Sequence, residues 1–417
     1  MEGPAGTGKT FRLIQMLVSS LAVRPLQDGQ RILALTFMHG ARRRLADRLR
    51  SVAGVGERFE CTTVDSFAMR ICHRWRSLAT HHGILVPDER SFDEVCAAAA
   101  SLLEDRQVAA WTAASFPIVL VDEGQDLSVE RVRIVAALSE TADVIVAADE
   151  FQCLNQTLRP NPFVGWLAAH SMVERLEQVH RTANGGLLAA ALSIRTGRAP
   201  LSGGGFHVLP PGHSAPLAAT LVASTIAWNR AEHVAVITPA LAGGFAESVV
   251  KRIGEAPCGK RRVGPYRIVW EGTDRAEADA VIEALALPGS ASATTLLKLL
   301  RAHSESAPVR ATMHWVDHQL RAVGRETFSR SEVESQIRRR VTLRRQYATG
   351  AEQRLAAMTV QQAKNREFDG VVVLWPYTVG GDDEHKRRLL YNAVTRAKSW
   401  CKVIAQSPRI LASTPFA

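Results

Sequence analysis

Gly3 to Thr10 read GPAGTGKT and satisfy G-x-x-x-x-G-K-[ST] at every fixed position. No other stretch narrows the fold as much. The pattern demands a loop whose successive N–H groups turn inward around the β- and γ-phosphates of a nucleotide. Gly3, Gly6 and Gly8 allow the tight turns, and Pro4, Ala5 and Thr7 complete the loop. Lys9 is placed to bridge phosphate oxygens and Thr10 to hold Mg2+. FRLIQMLVSSL then reads as the helix whose N-terminus faces the phosphates. Such a loop normally follows a buried strand, and only Met1 and Glu2 precede it here. In a doubly wound sheet that strand is central. A truncated start is therefore expected to leave a gap in the first sheet between strands around Leu33 and Val119, and an extended chain to be more stable.

The rest of the chain alternates short apolar runs with amphipathic stretches, which predicts parallel α/β architecture. RILALTF (31–37), FPIVLVDE (116–123) and ADVIVAAD (142–149) read as buried strands; HGARRRLADRLRSV and SVERVRIVAALSE read as helices. A proline- and glycine-rich stretch at 198–216 reads as a linker. EHVAVITPA (232–240), YRIVWEG (266–272) and FDGVVVLWP (368–376) supply strands for a second unit. Between about 275 and 350 the sequence turns helical and basic, as an insertion would. The expected division is 1–200 and 201–417, with a short helical insertion at about 70–115 in the first unit.

Charge points to a polyanion. The 417 residues carry a formal +10, gathered in Arg42-Arg43-Arg44, Lys260-Arg261-Arg262, Arg338-Arg339-Arg340 and Lys386-Arg387-Arg388. The six cysteines are scattered without a C-x-x-C pair, so neither a zinc site nor a disulfide framework is indicated; they read as reduced thiols of a cytoplasmic protein. No apolar stretch approaches the ~20 residues that span a bilayer.

IVLVDEGQD places Asp122 and Glu123 at the end of an apolar strand. Two carboxylates there could simply cap the next helix. After a complete phosphate loop, the stronger reading is an acid for the Mg2+ shell followed by a glutamate that activates water.

At this point the motifs resemble, in order, those of superfamily 1 UvrD/Rep-like helicases. GPAGTGKT is similar to their motif I, LALTFMHGARRRL to Ia, TTVDSFAMRI to Ib, VLVDEGQDL to II and VIVAADEFQCL to III. LEQVHRT is similar to IV, MTVQQAKNREFDGVVVLW to V and RRLLYNAVTRAK to VI. The resemblance covers two RecA-like units and implies an α/β fold of two P-loop-type domains with parallel sheets and reduced helical insertions. It implies ATP and Mg2+ as cofactors, Lys9 and Thr10 on phosphate and metal, Asp122 for the metal, and Glu123 as base. It further implies Gln152 as γ-phosphate sensor, Arg181 and Arg396 as arginines reaching a closing cleft, and Glu367 near the ribose. For single-stranded or partly duplex DNA it implies Thr36 and Phe37, Thr63 and Ser66, and Thr359. Phe37 reads equally as a base-stacking residue or a core aromatic.

The chain departs from the family pattern at Asp65 (histidine is usual), Gln361 (histidine) and Asn365 (glycine). It also lacks the aromatic–Arg-Gly run after motif III, for which only Phe163 or Trp166 offer themselves. The resemblance implies an ATP-driven translocase or 3′-to-5′ helicase. The rival is a DNA- or nucleotide-sensing switch that controls a partner nuclease, as in the compact UvrD-like proteins of two-gene anti-phage systems such as Gabija. A small-molecule P-loop kinase explains neither Arg396 nor the second α/β unit.

Overall fold

The computed structural model describes residues 1–36, 39–86, 91–170, 173–229, 231–271, 274–347 and 354–417. Two parallel sheets lie in one compact unit formed by Met1–Val269 and Arg354–Ala417; Trp270–Gln353 form a second compact unit.

The first sheet runs Phe59–Thr63, Ile32–Thr36, Ile118–Asp122, Asp143–Val146, all parallel. Ile32–Thr36 and Ile118–Asp122 are buried at every position, which is why both are uninterrupted apolar runs rather than alternating ones. The expected gap is absent: Leu33 sits opposite Val119 and Thr36 opposite Asp122, in direct register. The segment before the phosphate loop lies elsewhere. Glu2 bridges Ala148 on one side and Arg175 on the other, beyond the Asp143–Val146 strand. Hydrogen bonds from Glu2 N to Glu174 O and from Leu176 N to Glu2 O, both 2.8 Å, hold it there.

Helices fill one face of this sheet. Val64–Arg74, Phe92–Leu103 and Val129–Ser139 pack into one core with Val119 and Val121. The alanine run Ala97–Ala100 allows Phe92–Leu103 to approach its neighbours closely; Ala98, Ala99 and Ala100 are buried. Phe67, Trp111 and Phe116 meet edge-on at 6.5 and 6.2 Å, the geometry aromatic quadrupoles favour.

In the second sheet Phe206–Val208, Ala397–Ala405, Phe368–Trp375, Val234–Thr238 and Leu355–Thr359 lie side by side, again parallel. The expected linker at 198–216 is corrected in part: Phe206–Val208 within it pairs with Cys401–Val403, burying Phe206 completely. The strand expected over 266–272 shortens to Val269–Trp270. The helix Gly185–Arg195 packs in this sheet's core through Leu187, Ala190 and Ile194. Ala5 and Leu154 join the same core, so the phosphate loop rests directly on the second layer.

Among the described residues, the 270–353 unit has the helices Asp274–Leu285, Ala293–Arg301, Ala307–Val323 and Arg330–Tyr347, and an antiparallel pair of short strands, Ser290–Ser292 with Thr327–Ser329. Its own core includes Ile282, Leu300, Val316, Phe328 and Ile337.

Candidate nucleotide site

Gly6 and Gly8 take φ of +82° and +79°, the left-handed region that glycine enters without strain. Space excludes a side chain at Gly6 as well: an added Cβ would come within 2.8 Å of Arg181 Cβ. His180 N donates to Gly6 O at 2.7 Å, so the segment ending in Arg181 lies against the loop. Lys9 is buried; its ammonium donates to Gly3 O at 2.8 Å and Pro4 O at 3.1 Å and stands 3.9 Å from Asp149.

Thr10 and Asp122 come together across 112 residues of sequence, Thr10 Oγ1 donating to Asp122 Oδ2 at 3.1 Å. Burial, reinforced by the adjacent Glu123 charge, pushes the Asp122 carboxyl up to about 6. A hydroxyl and a carboxylate side by side are hard oxygen donors of the kind Mg2+ selects. Glu123 sits at φ +60°, an uncommon backbone state for a residue with a side chain. Gln125 Nε2 donates to Glu123 Oε2 at 2.6 Å, while Gln125 Oε1 accepts from Asp149 N at 2.9 Å. The buried Gln125 therefore fixes both acidic segments against each other.

Asp149 is fully buried and was not foreseen as a site residue. It accepts from Gln152 Nε2 and from Arg195 Nη1, each at 2.8 Å. Arg195 also reaches the Tyr391 hydroxyl at 3.4 Å, and that hydroxyl accepts the Ala5 N–H at 2.8 Å. Burial pushes the Tyr391 hydroxyl up to about 12, so it stays protonated. The one sequence cue for Arg195 was its being the sole charge in the apolar run GGLLAAALSIR. A cavity of about 290 Å3, lined largely by apolar groups, opens here between Pro4, Ala5, Arg181, Arg195, Tyr391 and Val394.

Arg396 is the most unusual group. It is 2% exposed, and its bonds go to Asn392 O (3.1 Å), Thr395 Oγ1 (3.2 Å) and Gln152 Oε1 (3.4 Å), all neutral acceptors. Burial, and then the charge of Arg181, lower its guanidinium to about 9. Arg181 by contrast is paired: Nε donates to Glu367 Oε1 and Nη1 to Thr395 O, each at 2.8 Å. Burial works against ionising Glu367, but Arg181 and Lys398 hold its carboxyl below the usual range.

Further contacts tie the two layers. Lys364 Nζ bridges both oxygens of Asp126 at 2.8 Å in a nearly buried pair. Arg388, 4% exposed, donates to Glu150 O at 2.8 Å and to Cys153 O at 3.3 Å.

The residues expected to touch DNA fare differently. Thr36 and Thr63 are buried, side by side in register at the ends of their strands. Thr63 caps the following helix, accepting from Ser66 N at 3.2 Å and donating to Ser66 Oγ at 2.8 Å. Thr359 bonds Gln362 through its N–H (2.8 Å) and hydroxyl (3.1 Å). Phe37 lies outside the described residues. Phe163 is corrected as a base-stacking substitute: it is fully buried and packs on Gly124, where an added Cβ would sit 2.2 Å from its ring. Trp166 is half-buried, stacked on His170 at 5.5 Å.

Two departures from the family pattern acquire physical reasons. Asn365 adopts φ +60°, and asparagine is the side-chain-bearing residue that best tolerates the position glycine usually fills. Asp65 pairs with the buried Arg131 at 2.7 Å, and Arg131 also pairs with Asp93, pinning three helices together.

Comparison with known proteins gives two family matches. Residues 1–157 match a family described as an AAA domain, and residues 354–404 match the UvrD-like helicase C-terminal domain. No curated protein matches. Among solved structures, the chain is similar to the arterivirus nonstructural protein 10 helicase in its complex with DNA, at 11% identity and a TM-score of 0.42, over 99% of this chain and 62% of that one. The crystal structure of the same arterivirus helicase gives 11% identity and a TM-score of 0.41, over 100% and 61%. Each family match covers less than half of the chain, the first falling on the layer that carries the phosphate loop and the second on the layer that carries Arg396, and the fold around them is α/β with two parallel sheets and helical insertions. Among the described residues, no helix is long and apolar enough to cross a membrane.

Proposed function

We propose that the chain hydrolyses ATP between its two RecA-like layers and couples turnover to movement on single-stranded DNA. The observation that carries the reading is Arg396: a buried guanidinium that meets only neutral acceptors, beside Gln152 and in the same layer that rests on the phosphate loop. A buried cation with no anion among its hydrogen-bond partners is costly, even with the Glu123 and Glu367 charges near enough to favour it. A triphosphate on Gly3–Thr10 would supply that anion and, as charge develops in phosphoryl transfer, gain most from it.

In this reading Lys9 leaves the Gly3 and Pro4 carbonyls for phosphate oxygens, and Thr10 and Asp122 would hold Mg2+, which neutralises phosphate charge when bound. Glu123, positioned by Gln125, takes the proton of the attacking water. Arg181 approaches over Gly6 and Glu367 stands near the sugar. Gln152 links Arg396 to Asp149, Arg195 and Tyr391, so nucleotide state is felt in the loop and in the second layer together. Thr36, Thr63, Ser66 and Thr359 are proposed DNA-backbone contacts, and 3′-to-5′ polarity is proposed from the resemblance. The two domains at 1–200 and 201–417 are proposed on the same basis.

The test is strand displacement by the purified chain on a duplex with a 3′ single-stranded tail, with ATP hydrolysis followed in parallel. ATP-dependent displacement supports the motor. DNA-stimulated hydrolysis without displacement supports the second reading, a switch acting on a partner nuclease.

A further inference from the structure

Trp228 closes the helix Ala215–Trp228 and is 63% exposed, unusual for an indole in a folded chain. Arg261 lays its guanidinium over the ring, 4.8 Å from the centroid. Arg261 belongs to a tight hairpin. Cys258 and Val263 exchange two backbone hydrogen bonds of 2.8 and 3.0 Å, and Arg262 N donates to Gly259 O at 3.1 Å. The hairpin is seated firmly on the same helix: an added Cβ at Gly259 would meet Thr220 Cγ2 at 2.7 Å. Its tip presents Lys260, Arg261 and Arg262, all exposed, and among the described residues no carboxylate pairs with any of them.

Three unpaired cations can be an ordinary solvated turn, and one exposed tryptophan can be chance. Held together by a rigid hairpin, they combine a flat aromatic face with a guanidinium plane and two further positive charges. That chemistry fits a nucleic acid strand whose bases are free to stack and whose phosphates are close by. A duplex hides its base faces and would use only the charges.

We propose that Trp228 and the Lys260–Arg262 tip form an auxiliary landing surface for single-stranded DNA, built from residues outside all of the helicase-like motifs. The proposal rests on the DNA reading above. It is tested by fluorescence anisotropy of a labelled twenty-nucleotide oligo-dT, across a salt series, with full-length protein and the variants Trp228→Ala, Trp228→Phe and Lys260→Ala/Arg261→Ala/Arg262→Ala. A stacked base predicts about a five-fold or greater loss of affinity in Trp228→Ala, largely restored in Trp228→Phe. Three phosphate contacts predict a salt slope shallower by about 2 in the triple variant. Binding to a blunt duplex should weaken in the triple variant and stay unchanged in Trp228→Ala. ATP hydrolysis without DNA should be unchanged in every variant, confirming intact folding. Oligo-dT binding by the wild type that neither variant alters would overturn this surface and leave the proposed function standing. A wild type that binds no oligo-dT at all would overturn both.

Discussion

Replacing Arg396 with methionine should stabilise the protein and abolish its chemistry. The guanidinium is buried, and its fall from the ordinary arginine value to about 9 corresponds to on the order of 5 kcal/mol of lost preference for the charged form. The sign follows from linkage. In the alkaline range above about 9 the unfolded chain keeps the proton that the folded chain sheds, so stability rises with pH there; below about 9 the charge is held at full cost. Arg396→Met removes that cost but leaves the acceptors on Asn392, Gln152 and Thr395 without their donor, at ~1 kcal/mol each. The net gain is then about 2 kcal/mol, or about 2 °C for a chain of this length. An ATP analogue should reverse the order, because its phosphates stabilise the wild type by pairing Arg396 and have no such partner in the variant. Single-turnover hydrolysis should fall by about 10³ or more. Calorimetry with and without the analogue, together with a phosphate-release assay, reads all three effects. A variant that melts below the wild type without nucleotide, or that hydrolyses ATP at a comparable rate, would refute the reasoning.

Asp122 gives a pH test. Its folded carboxyl titrates near 6, above its ordinary range, so the unfolded chain ionises first and stability declines as pH rises toward about 6, then levels. Mn2+ should therefore raise the melting temperature at pH 7.5 far more than at pH 5, and Asp122→Asn should remove that difference. Lys364→Met strands the buried Asp126 carboxylate and should cost about 3–5 kcal/mol in urea unfolding, most of it recovered by adding Asp126→Leu. Phe163→Ala should cost about 3–5 kcal/mol through the cavity over Gly124 while leaving oligo-dT affinity unchanged, as a core residue requires.

Much of this site is written in short local patterns. The glycines at 6 and 8, the lysine, and the acidic pair after a buried strand each sit where their motif requires, because those residues need special backbone states or strand ends that leave a local trace. Strand order leaves no such trace. Periodicity shows that Ile32–Thr36 and Ile118–Asp122 are buried, but not that they are each other's neighbours, and so the expected gap was a mistake about crossovers rather than about strands. Long-range polar partners are equally silent. Asp149, Arg195 and Tyr391 meet only after both layers pack, and Arg131 gives Asp65 its purpose from 66 residues away. Phe163 misled because an aromatic near a DNA motif and an aromatic filling the space over Gly124 look the same in one dimension.

In the proposed function this loop and these carboxylates carry out DNA-coupled ATP hydrolysis. The most direct measurement is steady-state ATP turnover by the wild type, Lys9→Ala and Glu123→Gln, each with and without oligo-dT at low and moderate salt. Wild-type turnover should rise with oligo-dT and lose that rise as salt increases. Lys9→Ala should be inactive, and Glu123→Gln should bind nucleotide without turning it over. Turnover that oligo-dT leaves unchanged, or that survives Lys9→Ala, would contradict that function.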